Sequence, residues 1–233
     1  MQVSLFNGFA DKNPKPITIH EVVEIIRADQ RLQVLTENHR HYRALGDTAR
    51  ADAEKNHMPC NSVAVLFSGG KQQKHIVSYT GLSIVDLDHV PRERMAEVLA
   101  MVRNDPHTLL AYTTISGEGV RVLFRYAVNK TTDCSDYTDS SVDGSSTPQD
   151  NNQCNPRNLC NLWLNNQEYR RVFEQGNEYY SNLLNLSYDE KCKNATRISG
   201  MAHDPEVYYN PDAVPIVVDM AKKAVGRPRK GKR

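Results

Sequence analysis

Two aspartates separated by one residue, Asp86 and Asp88, stand at the end of a hydrophobic segment. If this segment is a β-strand, its period of two residues places Ile84, Asp86 and Asp88 on one face. Two carboxylates at neighbouring positions of an apolar face raise each other's energy unless a cation neutralises them, and Mg²⁺ and Mn²⁺ prefer oxygen ligands of this kind. The pair therefore predicts a divalent-metal site, with a solvated acidic turn at the end of a strand as the alternative.

A second group of residues lies in a short loop between two further predicted strands. Ser116, Gly117 and Gly119 form this loop, and Arg121 follows at the start of the second strand. Glycines let the backbone approach a phosphate closely, and arginine supplies a fixed cation. The loop is therefore predicted to bind the phosphates of a nucleotide, while a plain hairpin turn remains open.

A third group lies downstream of a predicted helix that continues to about Leu186. Asp189 offers another carboxylate, and Arg197 offers another cation before Ser199-Gly200. Either residue alone is a weak signal. Together with the two groups upstream they could complete a site that holds charges of both signs.

The elements expected to position these residues alternate between strands and helices, which predicts an α/β (α+β) fold. The hydrophobic pattern gives a buried strand, a long return strand, a helix and two more strands, at Ser62 to Phe67, Ile76 to Asp88, Pro91 to Arg103, Thr108 to Thr113 and Val120 to Val128. Upstream, Thr18 and Glu21 predict a capping box, and a helical pattern continues from there to about His57.

Two histidines in this helical segment could be taken for a metal-binding pair. His39 and His41 flank Arg40, among polar neighbours and without a strand pattern. We interpret all three as part of a solvated helix face.

The composition suits one globular domain, which we divide into three segments. We predict an N-terminal strand and helical subdomain at residues 1–58, a core at 59–218 with a polar insertion at about 130–161, and a basic disordered tail at 219–233. Within the tail, Gly226, Arg227, Pro228, Arg229 and Lys230 resemble an AT-hook that binds the DNA minor groove. A non-specific basic tail or a linker is the alternative.

Charge, hydropathy and cysteine content narrow the class of protein. The net charge of the 233 residues is +1, so any contact with nucleic acid must be local. No apolar segment approaches the roughly 20 residues of a membrane helix, and the N-terminus lacks the pattern of a secretory signal, so a cytoplasmic protein without membrane contact is expected. Five cysteines without a C-x-x-C pair are expected to be free thiols.

The order of these motifs resembles the primase-polymerase catalytic core of the archaeo-eukaryotic primase superfamily. More closely, Tyr79 to Leu82 ahead of Asp86, together with Arg197 and Asp204 to Pro211, is similar to the VirE N-terminal or BT4734-like N-terminal domain of Bacteroides mobile-element proteins. The resemblance extends over roughly residues 59–215. It implies a two-layer core with a mixed or antiparallel sheet like that of an RNA-recognition motif.

The resemblance also implies roles for individual residues. Divalent metal would be held by Asp86 and Asp88, with Asp189 as the third carboxylate, and Arg121 and Arg197 would lie near the nucleotide. Many primase-polymerases have a histidine where this chain has Arg121, in a motif that touches the incoming nucleotide.

The function implied is that of a metal-dependent primase or polymerase, a nucleotidyltransferase acting in the DNA replication of a mobile genetic element. It would use Mg²⁺ or Mn²⁺, a DNA template and nucleoside triphosphates, with a helicase as a partner or as a further C-terminal region. Two alternatives stay open. One is a non-catalytic DNA-binding or regulatory module that keeps the fold, and the other is a metal-dependent nuclease.

Overall fold

The computed structural model describes residues 1–129, 164–189 and 193–222. The predicted insertion and the tail residues Arg227, Arg229 and Lys230 lie outside this part of the chain. The described helices are α1 Ile19–Ala28, α2 Gln30–Ala44, α3 Thr48–His57, α4 Met95–Asn104 and α5 Asn166–Leu184. The described strands are β1 Gln2–Phe6, β2 Lys15–Thr18, β3 Cys60–Ser62, β4 Val65–Phe67, β5 Ile76–Tyr79, β6 Leu82–Leu87, β7 Thr108–Thr113, β8 Val120–Asn129, β9 Ser199–Gly200, β10 Tyr208–Tyr209 and β11 Ile216–Asp219. The α+β class is confirmed.

The N-terminal helices begin where the sequence predicts and are then interrupted twice. The capping box of α1 is confirmed, because Glu21 N–H donates to Thr18 Oγ1 at 3.2 Å and Thr18 N–H donates to the Glu21 carboxylate at 2.6 Å. The single helical segment is replaced by three helices. Asp29 caps α2 by accepting from Leu32 N–H at 2.7 Å, and Gly46, at a φ of 76°, turns the chain before α3.

Strand β1 joins the first segment of the chain to the rest. It pairs antiparallel with β2 on one side and with β3 on the other, and β3 pairs in turn with β9 near residue 200. The N-terminal strand and the end of the predicted core therefore share one sheet.

The central sheet is built around β8. Both β6 and β7 pair antiparallel with β8, so the connection from β6 through α4 to β7 leaves β8 between the two strands, in a split β-α-β arrangement. Strand β10 pairs antiparallel with β7 at one edge of the sheet. Strand β11 pairs parallel with the last four residues of β8. The predicted return strand is divided at Gly81, whose φ is 80°, and its second part ends at Leu87, just before Asp88.

Helix α5 covers one face of the central sheet. Gly176 lies against the Phe124 ring, and a Cβ at this position would lie 2.0 Å from Phe124 Cζ. Tyr180 also contacts this ring, with centroids 6.0 Å apart. Because successive side chains of a strand alternate between faces, Arg121 lies on the opposite face of β8 from Phe124. That opposite face forms the floor of the candidate site. No helix among the described residues is long and apolar enough to cross a membrane.

Candidate functional site

An ion pair connects two neighbouring strands of the central sheet. The strand register places Asp86 of β6 and Tyr112 of β7 directly opposite Arg121 of β8. Arg121 donates from Nε to Asp86 Oδ1 at 2.5 Å and from Nη2 to Asp86 Oδ2 at 3.1 Å, in a two-point arrangement that fixes both side chains. Both are largely buried, with 13% and 8% of their side chains exposed. Arg121 therefore supplies a cation within the protein that neutralises Asp86, beside the divalent metal that the sequence predicts.

The remaining nitrogen of the guanidinium ties the ion pair to its surroundings. Nη1 of Arg121 donates to Tyr112 Oη at 3.2 Å and to the carbonyl of Gly200 in β9 at 2.5 Å, so one side chain joins the two sheets. Burial alone would lower the pKa of Arg121, but the negative charge of Asp86 and the contact with Tyr112 raise it well above its usual range. Arg121 is a permanent cation whose donors are used within the protein.

The other two predicted carboxylates stand beside this pair. Asp88 follows the end of β6 and is exposed. Asp189 is held next to Asp86 by its backbone, because its N–H donates to the Asp86 carbonyl at 3.0 Å. The Ile84 carbonyl on the same strand accepts from Asn177 Nδ2 of α5 at 3.0 Å. The first of these contacts brings Asp189 to the cleft, and the second attaches α5 to β6.

The residues Ser116–Gly119, which we call the glycine loop, connect β7 to β8 as predicted. Gly117 has a φ of 75°, a backbone conformation that residues with a Cβ rarely adopt. A Cβ at Gly119 would lie 2.7 Å from both the Leu87 carbonyl and Thr114 Oγ1, and 3.5 Å from Asp88 Oδ1. Glycine at this position therefore lets the loop lie against the end of β6 and close to Asp88.

Arg40 of α2 holds the start of the glycine loop and was not predicted to do so. Its Nε donates to the Ile115 carbonyl at 3.0 Å, and its Nη2 donates to the Thr114 carbonyl at 3.2 Å. Burial lowers the pKa of Arg40, against the opposing charges of Asp204 and Glu37. A side chain that is partly desolvated and spans two loop carbonyls is positioned to set the loop conformation.

His39, next to Arg40, corrects the interpretation of this helix as solvated. The residue is only 5% exposed, and Nδ1 lies 2.8 Å from the Ala51 carbonyl of α3. His41 is exposed, so the two histidines do not form a pair. The sequence signal for the burial of His39 is its helical spacing from Leu32 and Thr36, which are also buried on the same side of α2.

These elements enclose one cleft of about 840 Å³. It is lined by most of the predicted site residues, namely Asp86, Asp88, Ser116, Arg121, Asp189 and Arg197. Helices α2 and α3 form the facing wall with His39, Arg43, Asp52, Lys55 and Asn56. Gly117 borders a separate hollow on the other side of the loop, together with Val90 and Met95. Carboxylates and cations that are far apart in sequence thus face the same space.

The carboxylates of the cleft fit a divalent cation unequally. Among the described residues, no three His, Cys, Asp or Glu side chains are already arranged as a metal site. Both oxygens of Asp86 accept from Arg121, whereas Asp88 is exposed to the cleft and Asp189 lies half-buried beside it. Hard oxygen donors of this kind suit Mg²⁺ or Mn²⁺, with Asp88 and Asp189 as the more accessible ligands and Asp86 behind them.

Comparison with known proteins gives one match. The family model described as BT4734-like, N-terminal domain matches residues 53–209, which include the central sheet, the glycine loop and the three carboxylates. No curated protein and no solved structure matches the chain. The matched region starts within α3, so β1, β2, α1 and α2 lie outside it.

Proposed function

Because the chain belongs to the BT4734-like, N-terminal domain family, and because its carboxylates and cations face one cleft, we propose that the domain is a metal-dependent nucleotidyltransferase. It would extend or prime a DNA strand from nucleoside triphosphates during replication of a mobile genetic element. The observation that carries the proposal is the joint presence of Asp88, Asp189 and Arg197 around a cleft bordered by the glycine loop.

The cleft has the size and polarity that a nucleoside triphosphate needs. Small-molecule sites commonly enclose about 300–1,000 Å³, and this cleft falls within that range. A metal-bound triphosphate requires acidic groups for the cation and cationic groups for the phosphates. Asp88 and Asp189 offer the first, while Arg197, Arg43 and Lys55 offer the second.

Each group of residues has a distinct role in this proposal. Asp88 and Asp189 would hold Mg²⁺ or Mn²⁺, and a bound cation would supply activation of the attacking 3′-hydroxyl and neutralisation of the triphosphate. Ser116 and the backbone of the glycine loop would orient the phosphates. Arg121 would keep the Asp86 carboxylate fixed at the base of the cleft, since its donors already bind Asp86, Tyr112 and Gly200.

One observation favours a second candidate, a non-catalytic DNA-binding or regulatory module that keeps the fold. The two-point contact of Arg121 with Asp86 occupies both oxygens of a carboxylate that the resemblance assigns to the metal. A domain that had lost its chemistry could keep this pair for its structural value alone. In both candidates a DNA template is a partner, and a helicase would act on the same DNA.

One reaction distinguishes the two candidates. It contains the full chain, a primed DNA template, nucleoside triphosphates and Mn²⁺. Extension products support the nucleotidyltransferase. Binding to the template without any change in strand length supports the module, and shortened strands would show a nuclease instead. The Asp88→Asn variant should lose extension, whereas Asp212→Asn, which alters an exposed aspartate remote from the cleft, should keep it.

A further inference from the structure

His39 has one ring nitrogen committed to the protein. Its Nδ1 lies 2.8 Å from the Ala51 carbonyl, and a carbonyl can only accept a hydrogen bond. Nδ1 must therefore carry a proton. The contact fixes the ring orientation, so the other nitrogen, Nε2, has a defined position as well.

The second ring nitrogen of His39, Nε2, remains available to a ligand. Within the part of the chain that the structure describes, the ring makes no hydrogen bond besides the one at Nδ1. The residue is 95% buried and lines the cleft. Although the ring is buried, Nε2 is not among the enclosed side-chain atoms that lack a hydrogen bond, so it opens onto the cleft and a ligand there can reach it.

The surroundings of His39 indicate the charge of that ligand. Arg43 lies one helical turn beyond His39 on the same side of α2, and Lys55 lies on α3. Both line the cleft, both are exposed, and neither forms an ion pair with another described residue. Asp52 is the carboxylate on this wall. Two cations beside a buried imidazole favour an anionic group.

We propose that His39 contacts the nucleotide directly, with Nε2–H donating to a phosphate oxygen. Since Nδ1 already donates to Ala51, donation from Nε2 requires the imidazolium form of the ring, and the negative charge of the phosphate would stabilise that form. The inference rests on the proposed function. It extends the site to α2, outside the residues 53–209 that the family model matches.

Two substitutions of His39 test the roles of its two ring nitrogens separately. His39→Asn keeps an amide near the position of Nδ1 and removes Nε2, whereas His39→Gln places an amide near Nε2. The matched control is His41→Asn, on the same helix but exposed and outside the cleft. Titration calorimetry in Mg²⁺ would measure binding of ATP and dATP, with adenosine as the probe that lacks phosphates.

The expected result is a loss of triphosphate affinity of roughly ten- to a hundredfold for His39→Asn, the usual effect of removing a hydrogen bond to a charged group. His39→Gln should lose less, His41→Asn should match the unaltered chain, and adenosine binding should not change. Triphosphate affinity unchanged in a folded His39→Asn would overturn the inference. If that variant does not fold, His39→Gln decides, because equal losses for adenosine and triphosphate would also overturn it. Failure of the unaltered chain to bind triphosphate contradicts the proposed function instead.

Discussion

Replacing Asp86 by asparagine should destabilise the protein far more than replacing Asp88. The substitution keeps the volume of the side chain but leaves Arg121 charged and largely buried without its counter-ion. Removing one partner of a buried pair commonly costs about 3–5 kcal/mol. Arg121 keeps its contacts to Tyr112 and Gly200, and asparagine can still accept one hydrogen bond, so we expect about 3 kcal/mol, the lower end of that range.

Urea denaturation followed by circular dichroism measures this loss. With a urea dependence of about 2–3 kcal/mol per molar, the midpoint for Asp86→Asn should fall by about 1–1.5 M. Asp88→Asn is the matched control, because Asp88 is exposed and its replacement should change the free energy of unfolding by less than about 0.5 kcal/mol. Equal midpoints for the two variants would refute the conclusion that Asp86 and Arg121 form a structural pair.

Four further outcomes are expected. Arg40→Gln should speed amide hydrogen exchange in the glycine loop, because the two carbonyls immediately before the loop lose their donor; unchanged exchange would show that the loop conformation does not depend on Arg40. Burial raises the pKa of Cys60 to about 12, so iodoacetamide at pH 8 should modify it only after unfolding, as site-resolved mass spectrometry would show. Burial and the hydrogen bond to Asp105 raise the pKa of Tyr179 to about 12. The stability that this hydrogen bond contributes is therefore present below pH 10 and is lost as the pH rises towards 12. Tyr179→Phe should remove that part of the pH dependence of the free energy of unfolding. Deleting residues 224–233 should weaken DNA binding and flatten its salt dependence, and an unchanged salt slope would make the tail a linker.

Local patterns were sufficient for much of the fold. The capping box at Thr18 and the loop between β7 and β8 involve residues within a few positions of each other, so sequence spacing specifies them directly. The hydrophobic pattern likewise located β7 and β8. Strand and helix ends were less accurate, because Gly81 and Gly46 interrupt patterns that are otherwise continuous.

Contacts between distant segments could not be predicted in the same way. The pairing of Asp86 with Arg121 depends on the register of β6 against β8, which is set by packing of the whole sheet. Arg40 lies more than 70 residues from the carbonyls it binds, and its polar neighbours favour an exposed helix. The first contact requires the pairing of β6 with β8, and the second requires α2 to lie against the start of the glycine loop.

The dependence of nucleotide affinity on divalent metal tests the central claim most directly. Binding of a nucleoside triphosphate would be measured by titration calorimetry for the unaltered chain and for Asp88→Asn, in Mn²⁺ and in chelator. If Asp88 and Asp189 hold the cation in the cleft, Mn²⁺ should tighten binding to the unaltered chain and have little effect on a folded Asp88→Asn variant. Equal affinity of the unaltered chain in Mn²⁺ and in chelator, or an Asp88→Asn variant that responds to Mn²⁺ as strongly as the unaltered chain, would contradict the metal–nucleotide site.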